Sequence, residues 1–497
     1  MNNKGQALPA NDWVLFEKIA SAAFSNPFGE TRDELDRRIG GLTSEASDSE
    51  IIGAVVSRVT SAIDDMKKNH KADLRAYEGE RRETIRRLFL FHLFHRYADR
   101  FDALIQRQLS TGDAPCRVEF AKSVLAELEA FGFTNDDALR YFAVFYQLRR
   151  AYYFIRRGLV GNSASMKELR KHIWDCVFTH DISWFEAQFW NRMEDFSILL
   201  LGETGTGKGS AAAAIGRSGF IPFDRDRNCF AESFTRNFVA INLSQYSEGV
   251  LESELFGHRK GAFTGAVDNH EGLFSRCAPH GVIFLDEIGD VGVPVQIKLL
   301  QVLQERVFFP VGSHEARKFS GRIIAATNRN LDELRRKGNF RDDLYFRLCS
   351  DKIVIPTLRQ RIREDQHELT ALLTSIVARI SGESSPSNIP SLRDILLQDV
   401  GADYYWPGNV RELEQAVKRI ILTGRYRGEQ TPERAGADAG RSIVTGSVDA
   451  RLDAETLLAH YCAALYDRYG TYEEVARIAK LDRRTAKKYI RSASEQT

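Results

Sequence analysis

The stretch "SILLLGETGTGKGSAAAAIG", residues 197–216, decides the reading of this chain. Four apolar residues, Ile198 to Leu201, are followed by a turn rich in glycine and then by an alanine run that favours helix. The order strand, glycine turn, helix is what a phosphate-cradling loop requires. Its glycines let backbone N–H groups approach phosphate oxygens, and the start of the helix favours negative charge. Gly202, Glu203, Thr204, Gly205, Thr206 and Gly207 form the expected cradle, and Lys208 is placed to reach the β- and γ-phosphates of a nucleotide. One position departs from the pattern. Gly209 stands where Ser or Thr normally offers a hydroxyl to Mg²⁺, and Ser210, one residue on, points elsewhere, so metal binding must lean on other groups.

Downstream, "FVAINLS", "VIFLDEIGD" and "RIIAATNRN" repeat the theme of a short apolar strand ending in polar residues, alternating with helical stretches. This predicts a parallel sheet covered by helices, with ligands gathered at the carboxyl ends of its strands. Asp286 and Glu287 close one strand. An Asp there can hold Mg²⁺, and the next carboxylate can polarise an attacking water. Asn328 ends another strand, where an amide can sense a γ-phosphate; taken alone it is an ordinary turn residue. "FRDDLYFRL", residues 340–348, supplies Arg341 and Arg347, whose guanidinium forks suit a neighbour's γ-phosphate or, equally, a surface ion pair. "WPGNVRELEQAVKR", residues 406–419, reads as a turn entering a helix with Arg411 in its first turn.

Between these strands lies "ELFGHRKGAFTGAVDNHEGLF", residues 254–274. Gly261-Ala262-Phe263-Thr264-Gly265-Ala266 packs poorly as helix or strand, which predicts a mobile loop holding Phe263 and Thr264 at its tip.

The flanking regions differ in kind. Residues 1–157 carry apolar residues at helical spacing with few β-branched alternations, which predicts an all-helical region. His92 and His95, one turn apart among Phe and Leu, read as core residues rather than ligands. Residues 424–450 lack apolar periodicity and read as a linker. The tail, residues 469–494, reads as two short helices about a turn at Leu481-Asp482. The second helix carries Arg483, Arg484, Lys487, Lys488 and Arg491. Seven Lys or Arg against four Asp or Glu between residues 471 and 497 make a local basic excess suited to phosphate contacts. Elsewhere charge balances: the 497 residues sum to +1, with 43% hydrophobic and 28% charged residues, a globular composition of about three or four domains. The six cysteines are scattered without C-x-x-C pairs, which indicates neither a zinc site nor a disulfide framework and suits a reducing, cytoplasmic setting; no apolar run is long enough to span a membrane.

Taken together, these motifs resemble one family, the bacterial enhancer-binding proteins, AAA+ activators of sigma-54 RNA polymerase. The GAFTGA loop, the GETGTGKG cradle, the strand ending in Asp-Glu, the paired arginines and WPGNVREL stand here in family order, over residues 158–424 together with the C-terminal unit. The resemblance implies an all-α N-terminal regulatory region (1–157), a central α/β AAA+ P-loop ATPase (158–424) with a helical lid from about residue 357, a linker (425–450) and a Fis-like helix-turn-helix (451–497). It assigns Lys208 to ATP phosphates, Asp286 to Mg²⁺, Glu287 to water activation, Asn242 to restraint of that glutamate and Asn328 to sensing. Arg341 and Arg347 become fingers acting in trans within a ring, a hexamer in the family, and Arg411 a second sensor. Phe263 and Thr264 become the contact to the sigma-54 holoenzyme, and the basic tail helix the contact to upstream enhancer DNA. The family usually has Glu at the position of Gly209. Two stretches, residues 174–200 and 221–237, read as insertions that reshape the nucleotide pocket or a subunit contact. Two other readings stand beside this one: a DNA-binding regulator whose ATPase is impaired at Gly209 and which acts by occupancy, and an AAA+ remodeller of another target, which the GAFTGA loop disfavours.

Overall fold

The computed structural model describes residues 9–42, 46–382, 388–428, 454–469 and 471–494. These fall into two compact units, residues 1–425 and 426–497. The linker expected over 425–450 lies outside the described residues from position 429 onward.

The first unit opens with eight helices: α1 Ala10–Ala23, α2 Glu30–Gly40, α3 Asp48–Lys68, α4 Gly79–Arg96, α5 Ala98–Thr111, α6 Ala121–Ala130, α7 Asn135–Gly158 and α8 Ala164–Phe178. Their starts follow from local chemistry. Ser47 and Glu50 form a reciprocal capping box at α3, and the Thr134 hydroxyl accepts from the Asp137 N–H at α7, satisfying donors a helix start leaves open.

A five-stranded parallel sheet follows, in the order β4-β5-β8-β1-β9: β1 Ile198–Leu201, β4 Phe238–Asn242, β5 Val282–Asp286, β8 Arg322–Thr327 and β9 Asp351–Val354. Its central strands are apolar and buried on both faces, as a sheet covered by helices demands. Two small antiparallel pairs, β2 Phe223–Asp224 with β3 Cys229–Phe230 and β6 Val307–Phe308 with β7 Arg317–Lys318, complete it. Four further helices, Leu358–Glu364, Glu368–Ser381, Ile389–Val400 and Asn409–Thr423, form the helical lid.

The helical region and the sheet share one core. Buried side chains run continuously from Phe16 in α1 through α7 and α8 to Ile198, Phe284 and Ile324 of the sheet, while a second core fills the sheet's other side. The insertion at 221–237, expected to reshape the nucleotide pocket or a subunit contact, holds the β2-β3 hairpin, which packs on α7. Phe142 meets Phe223 edge-on at 4.8 Å, and Tyr146 stacks on Phe230 at 4.0 Å. Between them lies Arg150, 0% exposed. Its two terminal nitrogens donate to the carbonyls of Arg217 and Gly219 at 2.7 Å, and its cation sits 4.5 Å from the Tyr146 ring. Those carbonyls lie just past the end of the helix Lys208–Gly216 that follows the glycine turn, so α7 is fastened to the end of that helix.

Among its described residues the second unit contains three helices, Ala454–Tyr469, Tyr472–Ala479 and Arg483–Ser494, closed over Cys462, Val475, Ala476, Ala486 and Ile490. Lys480 takes a left-handed conformation at the turn, and Asp482 accepts from the N–H groups of Arg484 and Thr485 to start the last helix. Among the described residues no helix is long and apolar enough to cross a membrane.

Candidate nucleotide site and the exposed loop

Strand register assembles the site. Leu201 pairs with Thr327 and Asn242 with Asp286, so the polar residues that follow these strands converge on one edge of the sheet. In the glycine turn Gly205 and Gly207 hold φ of 78° and 109°, a region that favours glycine. Lys208, 7% exposed, donates to the carbonyls of Gly202 at 2.9 Å and Glu203 at 3.2 Å. Burial pulls its pKa down, while Glu287 and Asp286 nearby act to raise it. Asn328 joins two parts of the site: its Nδ2 donates to Thr204 Oγ1 at 2.8 Å and its backbone N–H to Glu287 Oε2 at 3.3 Å. Glu287 itself takes a left-handed conformation at φ 56°, backbone strain of the kind that gathers at functional sites.

The lid closes directly on the turn. Glu203 is held by Arg359 and by Asn409 Nδ2 at 3.1 Å, Asn409 Nδ2 also donates to the Thr204 carbonyl at 3.1 Å, and the Val410 N–H donates to the Gly205 carbonyl at 3.0 Å. A Cβ on Gly205 would overlap the Gly408 carbonyl oxygen, so this turn is packed and not merely permissive. Arg359 and Asn409 were not singled out in the sequence. The "PGN" turn placed Asn409 beside Arg411, but nothing local pointed either residue at Glu203. Arg411, in the first turn of the last lid helix, is exposed.

Other assigned residues sit apart from this cluster. The Asn242 carbonyl oxygen Oδ1 accepts from Ser244 N–H and Oγ at 3.0 and 2.8 Å, and no described hydrogen bond joins it to Glu287. Arg341 pairs with Asp343 through two bonds of 3.0 and 2.7 Å, and Arg347 donates to the Leu303 carbonyl at 3.1 Å. Neither arginine has a described bond to Lys208, Asp286 or Glu287. Gly209 is exposed on the first turn of its helix with nothing within 4 Å of where a Cβ would stand.

The loop expected to be mobile has a built base. His258 and His270 exchange backbone hydrogen bonds of 3.1 and 3.0 Å, Gly261 N–H donates to Ala266 O at 2.8 Å, and Arg259 N–H to Val311 O at 3.0 Å in the connection between β6 and β7. Only the tip is open. Phe263 is 46% exposed with its ring edge on His258 at 4.9 Å, and Thr264 is exposed beside it.

A family model described as the Sigma-54 interaction domain matches residues 185–354, the span that holds the glycine turn, the Asp-Glu strand end and this loop. Over residues 185–354 the chain is similar to sigma-54 interaction domains. The transcriptional regulatory protein ZraR of Salmonella typhimurium is 38% identical over 294 residues, covering 59% of this chain and 62% of ZraR. The nitrogen fixation protein AnfA of Azotobacter vinelandii is 37% identical over 269 residues, 53% of this chain and 43% of AnfA. The chain thus spans less than two thirds of the curated relatives it matches. A crystal structure of NtrX from Brucella abortus in complex with ADP is similar at 23% identity and a TM-score of 0.41, covering 76% of this chain and 80% of that one. The observed architecture is the central parallel-sheet α/β fold that the sequence implied, with helical regions before and after it in the chain.

One cluster was not anticipated. Cysteine spacing indicated no zinc site, yet the fold brings His172 and Cys176 of α8 to Asp351 of β9, with His172 Nε2 and Cys176 Sγ at 2.8 and 2.9 Å from the same carboxylate oxygen. His172 and Cys176 lie one helical turn apart, a signal visible in the sequence; their third member, 175 residues on from Cys176, was not.

In the second unit Arg483, Arg484, Lys487, Lys488 and Arg491 are all exposed. Arg483 pairs with Glu473 at 2.7 Å and Lys488 with Glu455 at 3.2 Å, between side chains more than half exposed that phosphate oxygens can outcompete.

Proposed function

We propose that this protein is a sigma-54-dependent transcriptional activator that binds upstream DNA and uses ATP hydrolysis in a ring to remodel the closed polymerase complex. The observation that carries this reading is the presence, in one compact unit, of the Lys208–Asp286–Glu287–Asn328 cluster and a braced loop whose exposed tip is Phe263-Thr264.

ATP would exchange Lys208's bonds to the loop carbonyls for bonds to phosphate. Glu287 is the base that orients water, and Asn328, bonded to both Thr204 and Glu287, ties that base to the phosphate loop. Asp286 fits Mg²⁺, a hard cation that prefers carboxylate oxygen, while Gly209 offers no ligand. Bound there, Mg²⁺ would neutralise phosphate charge. Asn242, one strand over and in register with Asp286, is a restraint on Glu287 once nucleotide reorganises the edge. Arg341 and Arg347, tied to groups of their own subunit, serve a neighbour's site in a homo-oligomeric ring, a hexamer by resemblance, and Arg411 on the lid reports nucleotide to that lid. The basic last helix holds enhancer DNA, residues 1–157 receive a signal, and the protein works in the cytoplasm.

The absent hydroxyl at Gly209 favours the second reading, a DNA-bound regulator with an impaired ATPase that acts by occupancy. Steady-state ATP hydrolysis over a protein-concentration series separates the two, with Glu287→Gln as control. A specific rate that climbs with concentration and disappears in the control supports the ring ATPase. Nucleotide binding without turnover, in the full chain and in one lacking residues 1–157, supports occupancy.

A further inference from the structure

A second feature of the first unit is a cavity lined by residues of its N-terminal helices. It occupies 610 Å³ within the helical region, between α2, α3, α4, α7 and α8, a size suited to a small organic ligand. Phe91, Phe94, Tyr152, Trp174 and Trp190 line it and give it apolar walls with aromatic faces. His95, also on the wall, lies 4.3 Å from the Phe91 ring, and burial with nearby Arg32 and Arg149 pushes its pKa down to about 3, so it stands neutral.

The polar groups are not evenly matched. Arg149 is spent on both oxygens of Asp102 at 2.6 Å, Arg32 on Asp36 Oδ2 and the Ala22 carbonyl at 2.8 Å, and Arg156 on the Tyr152 hydroxyl. Arg140 bonds Asp137 and Tyr141, leaving its Nε without a partner. On the acidic side Asp36 is 5% exposed, and its Oδ1 has no hydrogen-bond partner. Asp33, exposed on the same wall, is raised by desolvation and by the carboxylates of Asp48 and Asp36, against the lowering pull of Arg37 and Arg32. A buried carboxylate oxygen without a donor is unfavourable, and crowded carboxylates favour a cation beside them.

We propose that this cavity is an effector site for a small amine with an aromatic body, its ring system against Phe91, Trp174 and Tyr152 and its ammonium at Asp36 and Asp33. Cation–π attraction from the walls adds to the carboxylate contacts.

The same helix that forms one wall reaches the ATPase. Val144, Leu148, Arg149, Tyr152 and Arg156 of α7 line the cavity, while Arg150 between them is the residue bonded to the carbonyls of Arg217 and Gly219 behind the Lys208–Gly216 helix. A ligand that shifts or stiffens α7 therefore acts on the nucleotide loop through one helix. This step rests on the nucleotide site proposed above; occupancy of the cavity does not.

Titration calorimetry on the full chain tests the site with tryptamine, its uncharged analogue 3-methylindole and its acidic analogue indole-3-propionate. Tryptamine is expected to bind with a Kd below about 1 mM and more tightly than either analogue. Asp36→Asn should weaken it at least about tenfold, as expected for a charged partner lost from a buried site. Because that substitution also unpairs Arg32, Val144→Phe serves as the second variant. It adds apolar volume at the cavity wall and removes no polar group, and it should abolish binding while the melting temperature holds. The effector role is read as ADP affinity with and without tryptamine, which needs no hydrolysis; a change of at least about fivefold is expected, the lower end of ordinary coupling. No preference for the amine, or binding that survives Val144→Phe, overturns the site. Binding that leaves ADP affinity unchanged overturns the effector role, and failure to bind ADP at all overturns the nucleotide reading instead.

Discussion

Two glycine-rich loops lie in the same unit and differ in what surrounds them. The turn at Gly202–Gly207 is walled in by the lid: Glu203, Thr204 and Gly205 all meet Arg359, Gly408, Asn409 or Val410. The loop at Gly261–Ala266 is braced at its base and free at its tip, and a Cβ on Gly261 or Gly265 would meet nothing within 4 Å. Glycine serves different needs in the two. In the first it makes room for neighbours, protein now and phosphate in a complex. In the second it only sets backbone direction, so that Phe263 and Thr264 stand out from the surface.

The sharpest way to break this contrast is to add one methyl to each loop. Gly205→Ala combines a φ of 78° with a collision at the Gly408 carbonyl, and should destabilise the turn by about 2–4 kcal/mol and abolish ADP binding. Gly265→Ala carries strain without collision, φ being 102°, and should lose about 1–2 kcal/mol locally with ADP affinity intact. Calorimetry and ADP titration of both variants check this; equal losses would mean that the lid contacts do not matter to the turn.

Next in size is Thr264→Ala. An exposed residue at a braced tip supports no core, so its removal should leave melting temperature and ATPase rate unchanged and eliminate open-complex formation with the sigma-54 holoenzyme. A promoter-opening assay that still succeeds would remove Thr264 from the contact.

The contrast also marks what the sequence could and could not convey. The glycine turn, the Asp-Glu strand end and the tip residues were legible because each is a local pattern whose chemistry is complete within about ten residues. The partners were not. Glu203 meets Arg359 and Asn409 across more than 150 positions, and Arg150, an unremarked arginine in a helical repeat of Arg and Tyr, proved fully buried against a helix 67 positions away. The hairpin at 223–230 carried no local sign that its phenylalanines would pack on α7. Periodicity showed that α7 has an apolar face but not that the sheet's own core continues into it.

A smaller effect sharpens the comparison at Gly209. This glycine resembles those of the exposed loop in having open space around it, although it adjoins the packed turn. Gly209→Ser should therefore be accepted, with up to about 0.5 kcal/mol gained from helix propensity, and should lower the Mg²⁺ concentration needed for half-maximal ATPase by placing a hydroxyl where such loops usually have one. An unchanged Mg²⁺ dependence would show that metal at this site never depended on that position.

The smallest expected effect lies where neither loop reaches. Asp351 on β9 is held down to about 2, chiefly by its bond to His172, and His172 is raised above 6.5 by the same bond. The signs differ. Asp351's share of stability is present above its ordinary pKa of 3.8 and is lost as pH falls toward 2; His172's share is present below 6.5 and is lost as pH rises through its raised value. The α8–β9 junction should thus be firmest between those two ordinary values. Both side chains are 39% exposed, so solvent screening keeps the effect below about 1 kcal/mol. Asp351→Asn should flatten the melting temperature's pH dependence on either side of that window, below 3.8 and above 6.5, while ADP affinity and promoter opening stay as they were. A loss of ADP binding in this variant would mean that the nucleotide turn is held through β9 as well as by the lid, and the contrast between the two loops would then extend across the whole sheet.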